Sequence, residues 1–99
     1  MIRILLIEDH VILRQGLRSL LDMEDDLSVI GEAGTGDDGI RIAAAEKPDL
    51  IITDIGLPGR SGISIIAELR TSLPRTRILV LTAHCTDAYI RAALDAGAD

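Results

Sequence analysis

Three carboxylates stand where apolar runs give out. Glu8 and Asp9 directly follow Ile2 to Ile7, and Asp54 closes the run LIITD at residues 50–54. In doubly wound sheets, ligands bind outside the carboxyl ends of the strands, where the strand order reverses. With the order 2-1-3-4-5, the first and third strands flank that point, so Glu8, Asp9 and Asp54 converge in one crevice. Left alone, three adjacent carboxylates repel one another and push at least one pKa upward. A divalent cation relieves the repulsion, and oxygen ligands at a partly open, watery site suit Mg²⁺ better than zinc. Such a cation also neutralises an incoming phosphoryl group while a carboxylate attacks phosphorus, which is the setting for a covalent aspartyl phosphate. Thr82 ends a fourth apolar run and brings a hydroxyl to the same crevice, where it can hydrogen-bond a phosphoryl oxygen. A single acid at a strand end is more often a solvated cap. Three acids and a threonine, all at the ends of central strands, point to a site.

The elements that must position these groups are short and alternate. Ile2 to Ile7 is almost continuously apolar, as in a strand buried on both faces. Val11 to Met23 carries Leu13, Leu17, Leu20 and Leu21 at helical spacing. Leu27 to Ala33 is a weaker strand. Asp37 to Lys47 is helical, with Ile40, Ala43, Ala44 and Lys47 on one side, and Pro48 ends it. Leu50 to Asp54 is a third strand, and IGLPGRSG is a loop punctuated by Gly56, Pro58, Gly59 and Gly62. Ile63 to Leu73 is a helix with Ile66, Leu69 and Leu73 inward, stopped by Pro74. Ile78 to Thr82 is a fourth strand. Asp87 to Ala96 is a helix N-capped by Thr86 or Asp87 and stopped by Gly97. This β-α alternation predicts one α/β domain over residues 1–99, a doubly wound parallel sheet with helices on both faces. Ala98-Asp99 is where a further strand would begin, so a fifth strand and fifth helix are expected to be missing, leaving the order 2-1-3-4.

Composition narrows the classes of function. With 47% hydrophobic residues and 26% charged, the chain reads as globular and not disordered. It has no Trp or Phe, so the core must be Ile, Leu, Val and Ala. Sixteen acidic against ten basic residues, with Lys47 the single lysine, argue against a general nucleic-acid surface. The single cysteine, Cys85, has no internal disulfide partner, which fits a reducing compartment. The apolar runs are too short to cross a bilayer, and MIRILLIED is not a signal peptide, so a cytoplasmic location is expected.

The segments LLIEDH, PDLIITDIGLPGRSG, ILVLTAH and AALDAGAD, in this order and spacing, resemble the receiver (CheY-like) domain of two-component response regulators over the whole chain. EDH, GEAGTGDDGI and TAHCTDAYI are most similar to the NarL/LuxR-type branch. The resemblance implies a flavodoxin-like fold and a signalling switch that is not a turnover enzyme. The acid at Asp54 accepts a phosphoryl group from a sensor histidine kinase, with at most self-phosphorylation and autodephosphorylation as catalysis. Glu8, Asp9, Asp54 and the backbone carbonyl of Gly56 hold Mg²⁺. The Thr82 hydroxyl moves toward the phosphoryl group and triggers the switch, and Pro58 and Gly62 belong to the loop that shapes the pocket. It further implies transcription control through a DNA-binding output domain that nothing here resembles, no direct nucleic-acid contact from the receiver, and pairing of the fourth helix with a partner or a second copy. The family's lysine at the end of a fifth strand has no match before Asp99, and Lys47, at a helix end before Pro48, cannot substitute. Without that cation a phosphoryl group lacks one ion-pair partner.

Several other signals are weaker. Residues 34–39, GTGDDG, match G-x-G-x-x-G between a strand and a helix, but Asp37 and Asp38 would repel a pyrophosphate at the helix start, so a tight turn is favoured. His10 adjoins the acids; Mg²⁺ prefers oxygen, which favours a pocket-rim or helix-capping role. His84 and Cys85 lack the partners a zinc site or a nucleophile needs. Tyr89 reads as packing or a contact residue on the fourth helix. Two alternatives stand beside the switch. A Mg²⁺-dependent phosphatase of the haloacid-dehalogenase type would place its nucleophile after the first strand in D-x-D, with a later lysine, which this sequence does not match. A non-phosphorylated interaction module is the other.

Overall fold

Ile4, Leu5, Leu6 and Ile7 are each at most 1% exposed, and a strand so buried needs cover on both faces. The computed structural model describes residues 1–59, 61–81 and 87–99. In chain order they form β1 (Ile2–Ile7), α1 (Val11–Asp22), β2 (Leu27–Ala33), α2 (Gly36–Glu46), β3 (Leu50–Thr53), α3 (Gly62–Ser72), β4 (Arg77–Val80) and α4 (Asp87–Ala96). The strands make one parallel sheet in the order β2-β1-β3-β4. This is the doubly wound α/β fold expected from the alternation. No helix among the described residues is long and apolar enough to cross a membrane.

Alternation along β1 splits the core in two. Leu5 and Ile7 face a larger cluster with Ile51, Ala43 of α2, Ile65, Ile66 and Leu69 of α3, and Ala93 of α4. Ile4 and Leu6 face a smaller one with Val29 and Ile52, covered by Leu17 and Leu21 of α1. Three helices therefore lie on one face and α1 on the other. The inward side of α1 is narrower than its leucine spacing suggests: Leu13 and Leu20 are 50% and 65% exposed. Ala44 and Lys47 also face outward, and the packed side of α2 is Gly36, Gly39, Ile40 and Ala43.

Two helices end one residue earlier than the apolar pattern predicts, for one reason. A residue before proline is pushed out of the α region. Lys47, before Pro48, caps α2 in the left-handed region at φ 47°, and Leu73, before Pro74, caps α3 at φ −131° and ψ 74°. The glycines of GTGDDG are packing residues. A Cβ on Gly36 would come 2.3 Å from Ile65, and one on Gly39 would come 2.5 Å from Ile7. Thr35 caps α2 by accepting from the Asp38 N–H at 3.2 Å.

The outer side of β4 is met by Asp99. Ile78 N–H donates to Asp99 Oδ2 and Asp99 N–H donates to the Ile78 carbonyl, each at 2.8 Å. Arg70 of α3 braces this corner through Asp99 Oδ2 (2.7 Å) and the carbonyls of Gly97 (2.9 Å) and Thr76 (2.7 Å). The Ile78 N–H, helped by Arg70, holds the Asp99 carboxyl below its ordinary pKa. A lowered folded-state value stabilises the fold fully above the unfolded value near ~3.9, and that contribution is lost as pH falls through the folded value. Because the Asp99 side chain is 43% exposed, the effect should stay below about 1 kcal/mol. Asp99→Asn is expected to lower stability in urea unfolding at neutral pH, with the gap to wild type closing below about pH 4; a gap that widens on acidification would contradict this assignment.

Candidate functional site

The ends of the central strands are level. Ile7 pairs with Ala33 on one side and Thr53 on the other, and Thr53 pairs with Val80. The ladder runs one bond further at each position: Glu8 N–H donates to the Ala33 carbonyl (2.9 Å), Asp54 N–H to the Ile7 carbonyl (3.2 Å) and Leu81 N–H to the Thr53 carbonyl (2.9 Å). Glu8 and Asp54, which follow β1 and β3, are thus fixed by sheet hydrogen bonds on a single rim.

On that rim Glu8, Asp9, His10 and Asp54 each offer a ligand atom, all within 4.8 Å of one another. Glu8 is buried, Asp9 and Asp54 are half-buried and His10 is exposed. At such a separation two carboxylates repel by about 3 kcal/mol or more, taking an effective dielectric near 20. His10 meets two of these carboxylates: its Nδ1 lies 2.7 Å from Glu8 Oε1 and 3.3 Å from Asp9 Oδ1. The hydrogen bond to Glu8, with the charge of Asp9, raises the His10 pKa above its ordinary value. His10 occupies the N-cap position of α1 without a side-chain capping bond, so of its two expected roles only the place at the pocket rim is realised.

Asp9 Oδ1 is enclosed and has no hydrogen-bond partner despite the nearby imidazole. An enclosed carboxylate oxygen without a hydrogen-bond partner, in a residue grouped with two further carboxylates within 4.8 Å, fits a hard divalent cation, which takes oxygen ligands. Asp54 Oδ1 accepts the Gly56 N–H at 3.0 Å, which orients the carboxylate. Gly56 lies two residues beyond Asp54 on the same loop. Thr82, His84, Cys85 and the Thr86 capping position fall outside the described residues. Lys47 lies before the amino end of β3, while Asp54 follows its carboxyl end, so it is remote from this rim.

One further contributor is a glycine already singled out for the pocket loop, and another, Arg14, escapes a reading of the sequence by type. Gly62 opens α3 against the residue after Asp54: a Cβ there would fall 2.3 Å from the Ile55 carbonyl oxygen and 2.4 Å from its Cα. Arg14 donates from Nη1 to the Glu8 carbonyl at 2.7 Å. Its signal was present, since a cation at position 14 shares the helical stripe of Leu17 and Leu21, where apolar residues are expected.

The family described as response regulator receiver domain matches residues 4–99. The transcriptional regulatory protein LiaR of Bacillus subtilis is 39% identical over 98 residues, covering 99% of this chain and 46% of that protein. The nitrate/nitrite response regulator NarL of Escherichia coli is 40% identical over 96 residues, covering 97% and 44%. The chain therefore spans less than half the length of these relatives. A LuxR-family two-component response regulator from an Aurantimonas species superposes with a TM-score of 0.93 at 34% identity, over 99% of this chain and 70% of that one.

Gly62→Ala is expected to cost about 2–3 kcal/mol, because the contact is with backbone and no side chain can yield. It should also move the backbone amide resonances of Asp54 and Gly56. A loss below about 0.5 kcal/mol in urea unfolding, a surface-like effect, would contradict the close approach.

Proposed function

Since this chain belongs to the response regulator receiver domain family, in its NarL/LuxR-type branch, we propose that it is a phosphoacceptor that takes a phosphoryl group onto Asp54. The observation that carries this reading is the convergence of Glu8, Asp9 and Asp54 within 4.8 Å, with one enclosed oxygen of Asp9 lacking a hydrogen-bond partner.

Glu8, Asp9, Asp54 and the Gly56 carbonyl would hold Mg²⁺, which when bound supplies positive charge against the carboxylates and the phosphoryl oxygens. The protein's own part is to orient. The Gly56 N–H engages Asp54 Oδ1, and an Asp54 carboxylate oxygen attacks phosphorus. With a phosphohistidine donor on a sensor kinase, a P–O bond forms and the P–N bond breaks. Its electron pair remains on the imidazole nitrogen, which then takes a proton. Water later attacks phosphorus, the P–O bond to Asp54 breaks with its electron pair returning to the carboxylate, and inorganic phosphate leaves carrying the water's protons. Phosphorylation adds nearly two negative charges, and the Thr82 hydroxyl is the group assigned to answer them. That movement would bias a partner surface near α4, including pairing with a second copy.

In a regulator of the length of LiaR or NarL, the receiver would act on transcription through a DNA-binding part outside residues 1–99 and would work in the cytoplasm. The phosphatase alternative loses ground because its nucleophile belongs after β1, where Glu8 and Asp9 are adjacent, whereas Asp54 follows β3.

Incubation with acetyl phosphate and Mg²⁺ is expected to add one phosphoryl mass to wild type and none to Asp54→Ala, with beryllofluoride shifting pocket resonances in wild type alone. Multiple turnover of a phosphate ester would replace this reading with the phosphatase. No response in any arm would replace it with an interaction module.

A further inference from the structure

Arg14 closes the turn that carries two of the three acids. Its backbone N–H donates to the His10 carbonyl at 2.9 Å, and its Nη1 reaches back to the Glu8 carbonyl at 2.7 Å. Glu8 N–H is already bound to the Ala33 carbonyl of β2 at 2.9 Å, so both backbone polar groups of Glu8 are held. The guanidinium is itself anchored to the same strand, with Nε 3.3 Å from Glu32 Oε1. That Nε is enclosed and its contact is ionic, lacking hydrogen-bond alignment. Gly34 leaves the room this requires, since a Cβ there would come 3.2 Å from Nη1. Glu32 also binds Arg18, which pairs with Asp22 at 3.6 Å and lies 44% exposed.

We propose that Arg14, held by Glu32, is a positioning residue for the cation site: it fixes the Glu8–Asp9 turn so that their carboxylates stay converged on Asp54. This rests on the Mg²⁺-binding reading given above. The carboxylates repel, so a turn without this tie relaxes by swinging them apart, and reassembling them then costs binding energy. Residues that orient ligands from behind typically contribute roughly 10–100-fold to metal affinity. Charge alone has the opposite sign. Removing a guanidinium beside an acidic pocket strengthens cation binding by Coulomb attraction, so the direction of change separates positioning from simple charge balance.

The test is a Mg²⁺ titration of the 99-residue chain followed by amide resonances of Glu8, Asp9, Asp54 and Gly56, on variants verified as folded by circular dichroism. Arg14→Gln is expected to weaken Mg²⁺ binding by roughly tenfold. Glu32→Gln should weaken it in the same direction, and the double variant should bind no worse than Arg14→Gln alone, because the two act through one contact. Arg18→Gln, which removes another Glu32 ion pair without touching the turn, should leave the affinity within about twofold of wild type. Equal or tighter binding in Arg14→Gln, or an equal loss in Arg18→Gln, overturns the proposal. If Arg14→Gln does not fold, wild-type affinity in Glu32→Gln overturns it instead. Wild type that binds no Mg²⁺ overturns the phosphoacceptor reading itself, a separate outcome.

Discussion

Like-charge repulsion at the carboxyl rim of the sheet is the constraint the rest of this structure answers. Glu8, Asp9 and Asp54 would lower their energy by moving apart, so something rigid must hold them together. The parallel ladder does this, extending one hydrogen bond past β1 and β3 to the very residues that bear or adjoin the charges. A site built on strand ends inherits the stiffness of buried strands, which loops do not offer. The Glu8–Asp9 turn lies just past the ladder, where the His10 imidazole meets the Glu8 carboxylate from outside and Arg14 grips the backbone from inside.

Close packing beneath the rim serves the same end. Gly36 and Gly39 let α2 press against Ile65 and Ile7, and Gly62 lets α3 start against Ile55, one residue after Asp54. The last of these approaches fixes the start of α3 against the first residue of the loop that bears Gly56. The two faces of the sheet are unequal in cover: the larger cluster joins three helices, whereas the smaller depends on Leu17 and Leu21 of α1. The helix that begins at the acidic rim is therefore also the one with fewest buried anchors, and polar ties such as Arg14 to Glu8 and Glu32 carry more of its placement.

At the opposite corner, Arg70 and Asp99 satisfy backbone groups that helix ends and a sheet edge would otherwise leave open. One guanidinium accepts the work of joining α3, the end of α4 and β4. A planar fork with several fixed donors suits that task better than an ammonium would.

The sequence by itself determined the elements, their order and the acids at the strand ends. Continuous apolar runs, helical spacing, and Pro48 and Pro74 are local signals, and each acts within a few residues of itself. The same locality explains the misjudged details. Leucine spacing marked Leu13 and Leu20 as inward, but which part of a stripe is buried depends on what lies across from it, and α1 meets a narrow patch. Only the tertiary structure decided that the carboxylates come within 4.8 Å, that an Asp9 oxygen is enclosed, that Arg14 spans to Glu32 and that Asp99 meets Ile78. Those contacts join residues up to 46 positions apart, and they exist because strands distant in sequence pair level in one sheet.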